Sequence, residues 1–249
     1  MSYDAFARYY DDLTANIDYP ALADYYDCII SRFGGKIGIL LDLACGTGSL
    51  SVPMSEKGYD VIGTDASEDM LGIAVSKPHD GVQYLCQDMT ELDMFGTIDA
   101  AVCTLDSLNH LESIDDVRTV FGKVALFMNS GGIFVFDVNT PYKHENVLAD
   151  NTYIYETDDV FCAWENEYLG NGVVGISLDF FERDGDIYRR SSDDFTETAW
   201  SRETIEKLLE DAGFELCACY EYPTFAEPTE TSEKLTFAAR IVSSKNKEA

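Results

Sequence analysis

The run Leu41-Asp42-Leu43-Ala44-Cys45-Gly46-Thr47-Gly48-Ser49-Leu50 constrains this chain more than any other feature. The apolar stretch Gly38–Leu43 reads as a strand buried on both faces, as in a parallel sheet. It runs into a Gly-x-Gly turn at Gly46 and Gly48. A helix is expected from about Gly48 to Lys57, with Pro53 near enough to its start to be tolerated. Glycine has no Cβ, so the backbone can turn tightly there and approach a ligand closely. The helix start then offers N–H groups that have no partner within the helix. Parts in this order make a strand–turn–helix unit with a ligand at the turn.

The rest of the chain repeats the rhythm. Strands are expected at Asp60–Gly63, Val82–Cys86, Ile98–Thr104 and Ile133–Val138. Between them lie helices at Glu68–Ser76, capped by Ser67, and at Ile114–Met128, ended by Gly131 and Gly132. Two helices come first: Tyr3–Leu13, aromatic on one side, and Ala21–Phe33, opened by Pro20 and ended by Gly34 and Gly35. After Pro141 the pattern changes. Tyr153–Thr198 is rich in Tyr, Phe, Val and Thr, and Asn171-Gly172 and Asp184-Gly185 are hairpin turn pairs, so three or four antiparallel strands are expected. A helix at Arg202–Ala212, capped by Ser201 and ended by Gly213, leads into strands at Phe214–Tyr222 and Leu235–Val242, with a polar turn at Thr224–Ser232. The tail Ser243–Ala249 reads as loose. The expected fold class is α/β: a Rossmann-like, seven-stranded, mostly parallel sheet with helices on both faces, plus a small antiparallel β insertion.

Composition narrows the partners. The chain has 249 residues, enough for one sizeable core. Seventeen Lys and Arg against 46 Asp and Glu give a formal net charge of −29. Such a field repels phosphate backbones, so nucleic acid is disfavoured as a partner. No apolar run approaches the roughly 20 residues of a membrane span, and the first residues read as neither signal nor transit peptide. The seven cysteines include no Cys-x-x-Cys pair, and several lie in apolar runs. They read as free buried thiols in a reducing cytoplasm, and Cys217 and Cys219 as pointing the same way from one strand. No metal site is expected, because no spacing of His and Cys completes a ligand set.

In an open α/β sheet, ligands bind beyond the carboxyl ends of the strands. Four candidate elements stand there. The first is the glycine turn. The second is Asp65, about 20 residues after the first glycine, where an acid can accept from both ribose hydroxyls; alone it would be only a helix cap. The third is Gln87-Asp88-Met89, where Asp88 can accept from an adenine amino group and Met70 can cover the ring, unless Met70 is simply core. The fourth is the loop Thr104–Leu111, in which Asp106, Asn109 and His110 are candidates; His110 could equally be an ordinary surface or helix-start histidine. The segment Asp137–His144, with Tyr142, enters the same crevice.

Together, Asp42-Leu43-Ala44-Cys45-Gly46-Thr47-Gly48, Asp65-Ala66-Ser67 and Gln87-Asp88-Met89 resemble the class I S-adenosylmethionine-dependent methyltransferases, above all the small stand-alone bacterial members with a β-rich cover. The resemblance spans roughly Leu40–Val138 and the closing strands. It implies S-adenosyl-L-methionine as cofactor and methyl donor. It also implies that Ala44, Gly46 and Gly48 line the methionine and ribose side, Asp65 the ribose, and Asp88 with Met89 the adenine. By the same likeness Asp42, Cys45, Ala66, Met70, Gln87 and Thr104 belong to the cofactor surroundings, and the later loop residues face the acceptor. Ala44 departs from the glycine common at that place. The expected organisation is a helical lid over 1–35, a cofactor-binding core over 36–150 and 199–249, and a β insertion over 151–198 covering the acceptor.

In-line methyl transfer rests mainly on proximity and orientation. A general base is needed only where the acceptor must lose a proton, and Asp106, His110 and Tyr142 are the candidates. The charge and the absence of an Asn/Asp-Pro-Pro-Tyr element after the fourth strand favour a small-molecule acceptor; a monomer or homodimer is expected. Two alternatives share the fold. A nicotinamide-dependent oxidoreductase would use the same turn and Asp65, but Ser51 stands where its third glycine is expected. A non-catalytic cofactor-binding protein would keep the same anchors.

Overall fold

The computed structural model describes residues 4–77 and 79–242; Tyr3 of the first expected helix and the tail from 243 lie outside the described residues. In chain order the elements are α1 (Asp4–Leu13), α2 (Tyr19–Arg32), β1 (Ile39–Leu43), α3 (Ser51–Glu56), β2 (Asp60–Asp65), α4 (Glu68–Ser76), β3 (Val82–Cys86), β4 (Ile98–Cys103), α5 (Ile114–Phe127), β5 (Met128–Asn139) and α6 (Pro141–Lys143). Four long strands follow: β6 (Thr152–Glu156), β7 (Val160–Gly170), β8 (Val173–Asp184) and β9 (Ile187–Thr198). α7 (Arg202–Ala212), β10 (Phe214–Glu221) and β11 (Lys234–Ile241) close the chain.

Seven strands form one sheet in the order β10-β11-β5-β4-β1-β2-β3. β1 pairs in parallel with both β2 and β4, so the order reverses at β1 and opens a crevice at the carboxyl ends of these strands. β11 runs antiparallel between β5 and β10. The four strands β6–β9 form a separate antiparallel sheet. Its long hairpin turns at Asn171-Gly172, where both residues take positive φ (54° and 77°) as the tight turn demands.

Apolar side chains fill both faces of the large sheet. On one face α5 and α7 cover Phe134, Phe136 and Phe237, with the Phe136 and Phe237 rings stacked 5.2 Å apart. On the other, Tyr26, Ile29 and Ile30 of α2 and Met54 of α3 cover Leu40, Val102 and Val135. The small sheet has its own cluster around Cys162, Ile176, Leu178 and Phe180. Phe6, Tyr9 and Leu13 of α1 pack against that cluster, and Tyr9 stacks on Phe180 at 6.1 Å. α1 therefore links the small sheet to the rest of the molecule.

Five local expectations are corrected. α3 starts at Ser51 rather than Gly48, because Gly46 and Gly48 adopt φ of +54° and +70°, which no right-handed helix accepts. β5 does not wait for Ile133: it runs through Gly131 and Gly132, and the register against β4 slips between Ile98 and Ala100 to absorb them. The crevice segment Asp137–His144 turns helical from Pro141: Thr140 caps α6, and a wider turn, His144–Leu148, follows. Cys217 and Cys219 do not share a side. A bulge between Leu216 and Ala218 turns Cys217 toward the α2 face, while Cys219 enters the α5–α7 face. All seven thiols are free, but Cys28 and Cys86 are exposed and only Cys103, Cys162 and Cys219 are buried.

The Phe136 ring is fully enclosed between Phe121, Phe134 and Phe237. Phe136→Ala should lower the unfolding free energy by about 3–5 kcal/mol, measured by equilibrium urea denaturation.

Candidate active site

The turn after β1 is built for a close ligand. Ala44, Gly46 and Gly48 all take positive φ (57°, 54° and 70°). A Cβ at Gly48 would sit 2.2 Å from the Tyr84 hydroxyl, so only glycine fits there. A Cβ at Gly46 would meet nothing nearer than Cε1 of Tyr10, at 4.0 Å. That leaves an open cradle roofed by α1. Asp65 ends β2 with both oxygens held by backbone: Gly46 N–H donates to Oδ2 and Ser67 N–H to Oδ1, each at 2.8 Å. Burial pushes this carboxyl up, and the two amides and the nearby His110 oppose that push. Each oxygen keeps a further lone pair for a ribose hydroxyl.

The other cofactor candidates fall into two groups. Asp88 is exposed, and its Oδ1 accepts from the N–H and hydroxyl of Thr90 at 2.7 and 2.6 Å. Its second oxygen carries no hydrogen bond among the described residues, which suits an amino group. Ala66 is exposed, Met89 is half-buried against the core, and Met70 is buried on α4 outside both clusters of the large sheet. Thr104 is buried, with its carbonyl accepting from Ser107 Oγ at 2.7 Å. The rest work from beneath. Asp42 is buried and accepts from Ser51 Oγ at 2.5 Å, bracing α3 under the turn. Burial pushes its carboxyl up to about 7. The Cys45 thiol is likewise raised by burial. The Gln87 amide is committed to the backbone N–H and C=O of Asp93, at 3.2 and 3.0 Å.

The residues expected to face the acceptor lie after β4 and β5. Leu105 and Asp106 both have φ of +55°, a conformation that L-residues adopt at a cost and that concentrates at functional sites. Their N–H groups converge on the buried Asp137 carboxylate at 2.9 and 2.8 Å. Asp137 also accepts from the Tyr26 hydroxyl at 2.5 Å and lies 3.4 Å from Lys234 Nζ. Asp106 in turn accepts from Lys234 Nζ at 2.8 Å and from Asn139 Nδ2 at 2.6 Å. Burial alone would raise its carboxyl, but the Lys234 and Lys143 charges outweigh burial and hold it well below the usual carboxylate range. Asp106 is thus a fixed negative charge and a poor base. Asn109 is fully buried, its amide spent on Asn139 N and O and on Thr198 O. His110 is one-third exposed at 32%, and its ring lies 5.1 Å from Phe195. It is close enough to Asp65 and Asp106 to lower both carboxyls. Tyr142 is half-buried on α6, and no hydrogen bond fixes its phenol among the described residues.

Sequence reasoning missed Glu197, Lys234 and Asp11. Asp11 of α1 accepts from Thr47 Oγ1 (2.6 Å) and Ser49 Oγ (3.1 Å) and pairs with Lys77 Nζ (2.6 Å). Burial would raise this carboxyl, but the Lys77 and hydroxyl contacts hold it low. The only available signal was an acid on the polar side of an aromatic helix.

A methyltransferase-domain family matches residues 40–132. YqeM of Bacillus subtilis (strain 168), a methyltransferase by name, is 33% identical over 96% of this chain and 97% of its own length. The crystal structure of an S-adenosylmethionine-dependent methyltransferase from Clostridium acetobutylicum ATCC 824 is 31% identical, covers 97% of this chain and 99% of its own, and superposes with a TM-score of 0.87. This chain belongs to the S-adenosylmethionine-dependent methyltransferases. The seven-stranded sheet with a separate four-stranded sheet is the fold of this family, and S-adenosylmethionine is the methyl donor. Membership replaces the oxidoreductase and non-catalytic readings. A glycine/sarcosine N-methyltransferase of Parasynechococcus marenigrum (strain WH8102) is 28% identical over 73% of this chain and 68% of its own length.

For this methyltransferase, Asp65→Ala should weaken S-adenosylhomocysteine binding by about 1–3 kcal/mol in calorimetric titration. Asp42 makes a pH prediction. Its folded carboxyl at about 7 lies above an unfolded value of about 3.9, so the folded form holds the proton more tightly. That contribution is present below pH ~4 and is lost as pH rises through ~7. Asp42→Asn, which can still accept from Ser51, should therefore gain stability relative to the wild type across this window, by at most about 1.4 kcal/mol per pH unit in parallel denaturation curves.

Proposed function

We propose that this enzyme methylates the nitrogen of a small-molecule amine. S-adenosylmethionine supplies an activated methyl group on a sulfonium. The observation that carries the reading is the position of His110: its ring is one-third exposed in the loop that carries Asp106, 5.1 Å from Phe195 and with Nε2 3.9 Å from Glu197 Oε1, near enough to the proposed ribose anchor Asp65 for their charges to interact. A ring between the two halves of the crevice stands where a proton must leave the acceptor. The fixed Asp106 carboxylate and the overall charge of −29 favour a cationic amine over a phosphate or nucleic acid. The relative named for glycine and sarcosine supports an amine.

In this reading Gly46, Gly48 and Asp65 hold the donor, Asp88 and Met89 select adenine, and Met70 closes the ring face. His110 takes one proton from the acceptor ammonium, leaving a neutral amine to attack in line. Asp106 orients the amine without accepting its proton, and Tyr142 lines the entrance. Of the lid expected over 1–35, α1 is the covering part: Tyr10 lies over the cradle, and Asp11 latches α1 to Thr47, Ser49 and Lys77, whereas α2 packs into the core. A closed lid excludes water from the reacting atoms. Of the described residues, 36–77, 79–150 and 199–242 form the cofactor core, and 151–198 the acceptor wall. Among the described residues no helix is long and apolar enough to cross a membrane. We infer a cytoplasmic enzyme, monomeric or homodimeric, from the seven free thiols and the acidic composition.

Radiolabelled methyl transfer to glycine, sarcosine and amino sugars tests the acceptor class; transfer to hydroxyl compounds alone would overturn it. His110→Asn should lower kcat on any accepted amine by about 100-fold or more while S-adenosylhomocysteine affinity holds. Asp11→Ala should raise the S-adenosylhomocysteine dissociation rate about tenfold in stopped-flow, as expected for a loss of ~1.4 kcal/mol of latch.

A further inference from the structure

Glu197 is an anomaly of the small sheet. Phe195, Glu197 and Ala199 alternate along one face and its extension, and all three are buried. A carboxylate on such a face is costly unless every oxygen has a partner. Its Oε2 accepts from Asn139 Nδ2 at 3.1 Å and lies 3.5 Å from His144 Nε2. His144 is fully buried. Its Nδ1 stands 2.7 Å from the carbonyl oxygen of Gly172, which can only accept, so Nδ1 carries a proton. Asn139 of β5 therefore holds Oε2, while His144 Nε2 makes no hydrogen bond to it. Oε1 is left, and it faces His110 Nε2 at 3.9 Å. Phe195, two residues earlier on the same face, lies against the same imidazole.

We propose that Glu197 is a positioning residue for His110. Its Oε1 holds the Nε2–H edge of the ring and leaves Nδ1 bare as the nitrogen that takes the acceptor's proton. The partner of one ring nitrogen decides which nitrogen is free. The inference rests on the reading that His110 is the base, and assigns its orientation to a residue of the insertion. Phe195 fixes the ring's plane and Glu197 its tautomer, so two alternate residues of β9 set both. The 3.9 Å approach is longer than a formed hydrogen bond, as catalytic contacts are before the crevice closes on its substrates. The charged groups that face His110 are Asp106 of its own loop, Asp65 from β2 and Glu197 from β9.

The chain has three histidines, so its imidazole nitrogens are few enough to resolve one by one. The test is long-range proton–nitrogen NMR on full-length protein labelled with [15N]histidine, at alkaline pH, with His79→Asn and His110→Asn for assignment. Wild-type His110 should carry its proton on Nε2, with Nδ1 bare. In Glu197→Gln the amide oxygen stays with Asn139, a donor, and the amide NH2 turns toward His110. The proton should then move to Nδ1, while S-adenosylhomocysteine affinity changes less than twofold. A wild-type ring protonated on Nδ1 overturns the proposal even if the variant fails to fold. So does an unchanged Nε2 tautomer in a folded Glu197→Gln. Neither result depends on the acceptor. The separate kinetic loss in His110→Asn tests the base reading alone, so failure of one is distinguishable from failure of the other.

Discussion

The site depends on one buried carboxylate. Asp137 is fully enclosed at the end of β5 and gathers a hydroxyl from α2, two backbone amides from the loop after β4, and the ammonium of Lys234 from β11. A charge this deep is tolerated only because its partners converge. The arrangement in turn sustains the left-handed pair Leu105-Asp106, whose successive amides form a small anion nest around it. Without the carboxylate, those amides would stand unpaired and the buried Lys234 would keep Asp106 alone. Such loss of one member costs far more than the intact arrangement gains. The strain that aims Asp106 and His110 into the crevice is therefore balanced from below the sheet.

The two halves of the site are made differently. The cofactor half is mostly backbone: three positive-φ residues, amides fixing Asp65, and a glycine whose missing Cβ makes room for Tyr84. These backbone parts come from the stretch between β1 and β3. The half proposed for the acceptor is mostly side chains drawn from the loop after β4, from α6, β9 and β11, and from α1. Backbone geometry suits a ligand common to a whole family, and assembled side chains suit an acceptor that differs among members.

That difference governs what could be read in advance. The β-α alternation, the hairpin pairs and the caps Ser67 and Ser201 were legible because each is a local pattern with a local cause. Asp65 stood out by its spacing from the glycine turn, and the structure joins it to that turn through the Gly46 amide. α3 and β5 were misplaced where glycine conformation, set by contacts, overrode periodicity. Glu197 and Lys234 were illegible for another reason. Each sits in an ordinary polar or strand-like context, and its role exists only once β9 and β11 lie beside the loop after β4. Asn109 shows the converse: beside His110 in sequence it looked like a ligand group, yet its amide stitches β5 to the end of β9.

Asn139 has two amide hydrogens. One goes to Asp106 of the core and the other to Glu197 of the small sheet. Its oxygen is taken by Lys143. A single planar group thus serves as the rivet between two parts of the chain, with no donor to spare. Homologous recombination that grafts a different insertion onto this core would have to bring an acceptor to position 197, or leave a buried N–H stranded at the heart of the crevice. The small sheet can vary freely at its rim, but the rivet fixes the grammar of the join.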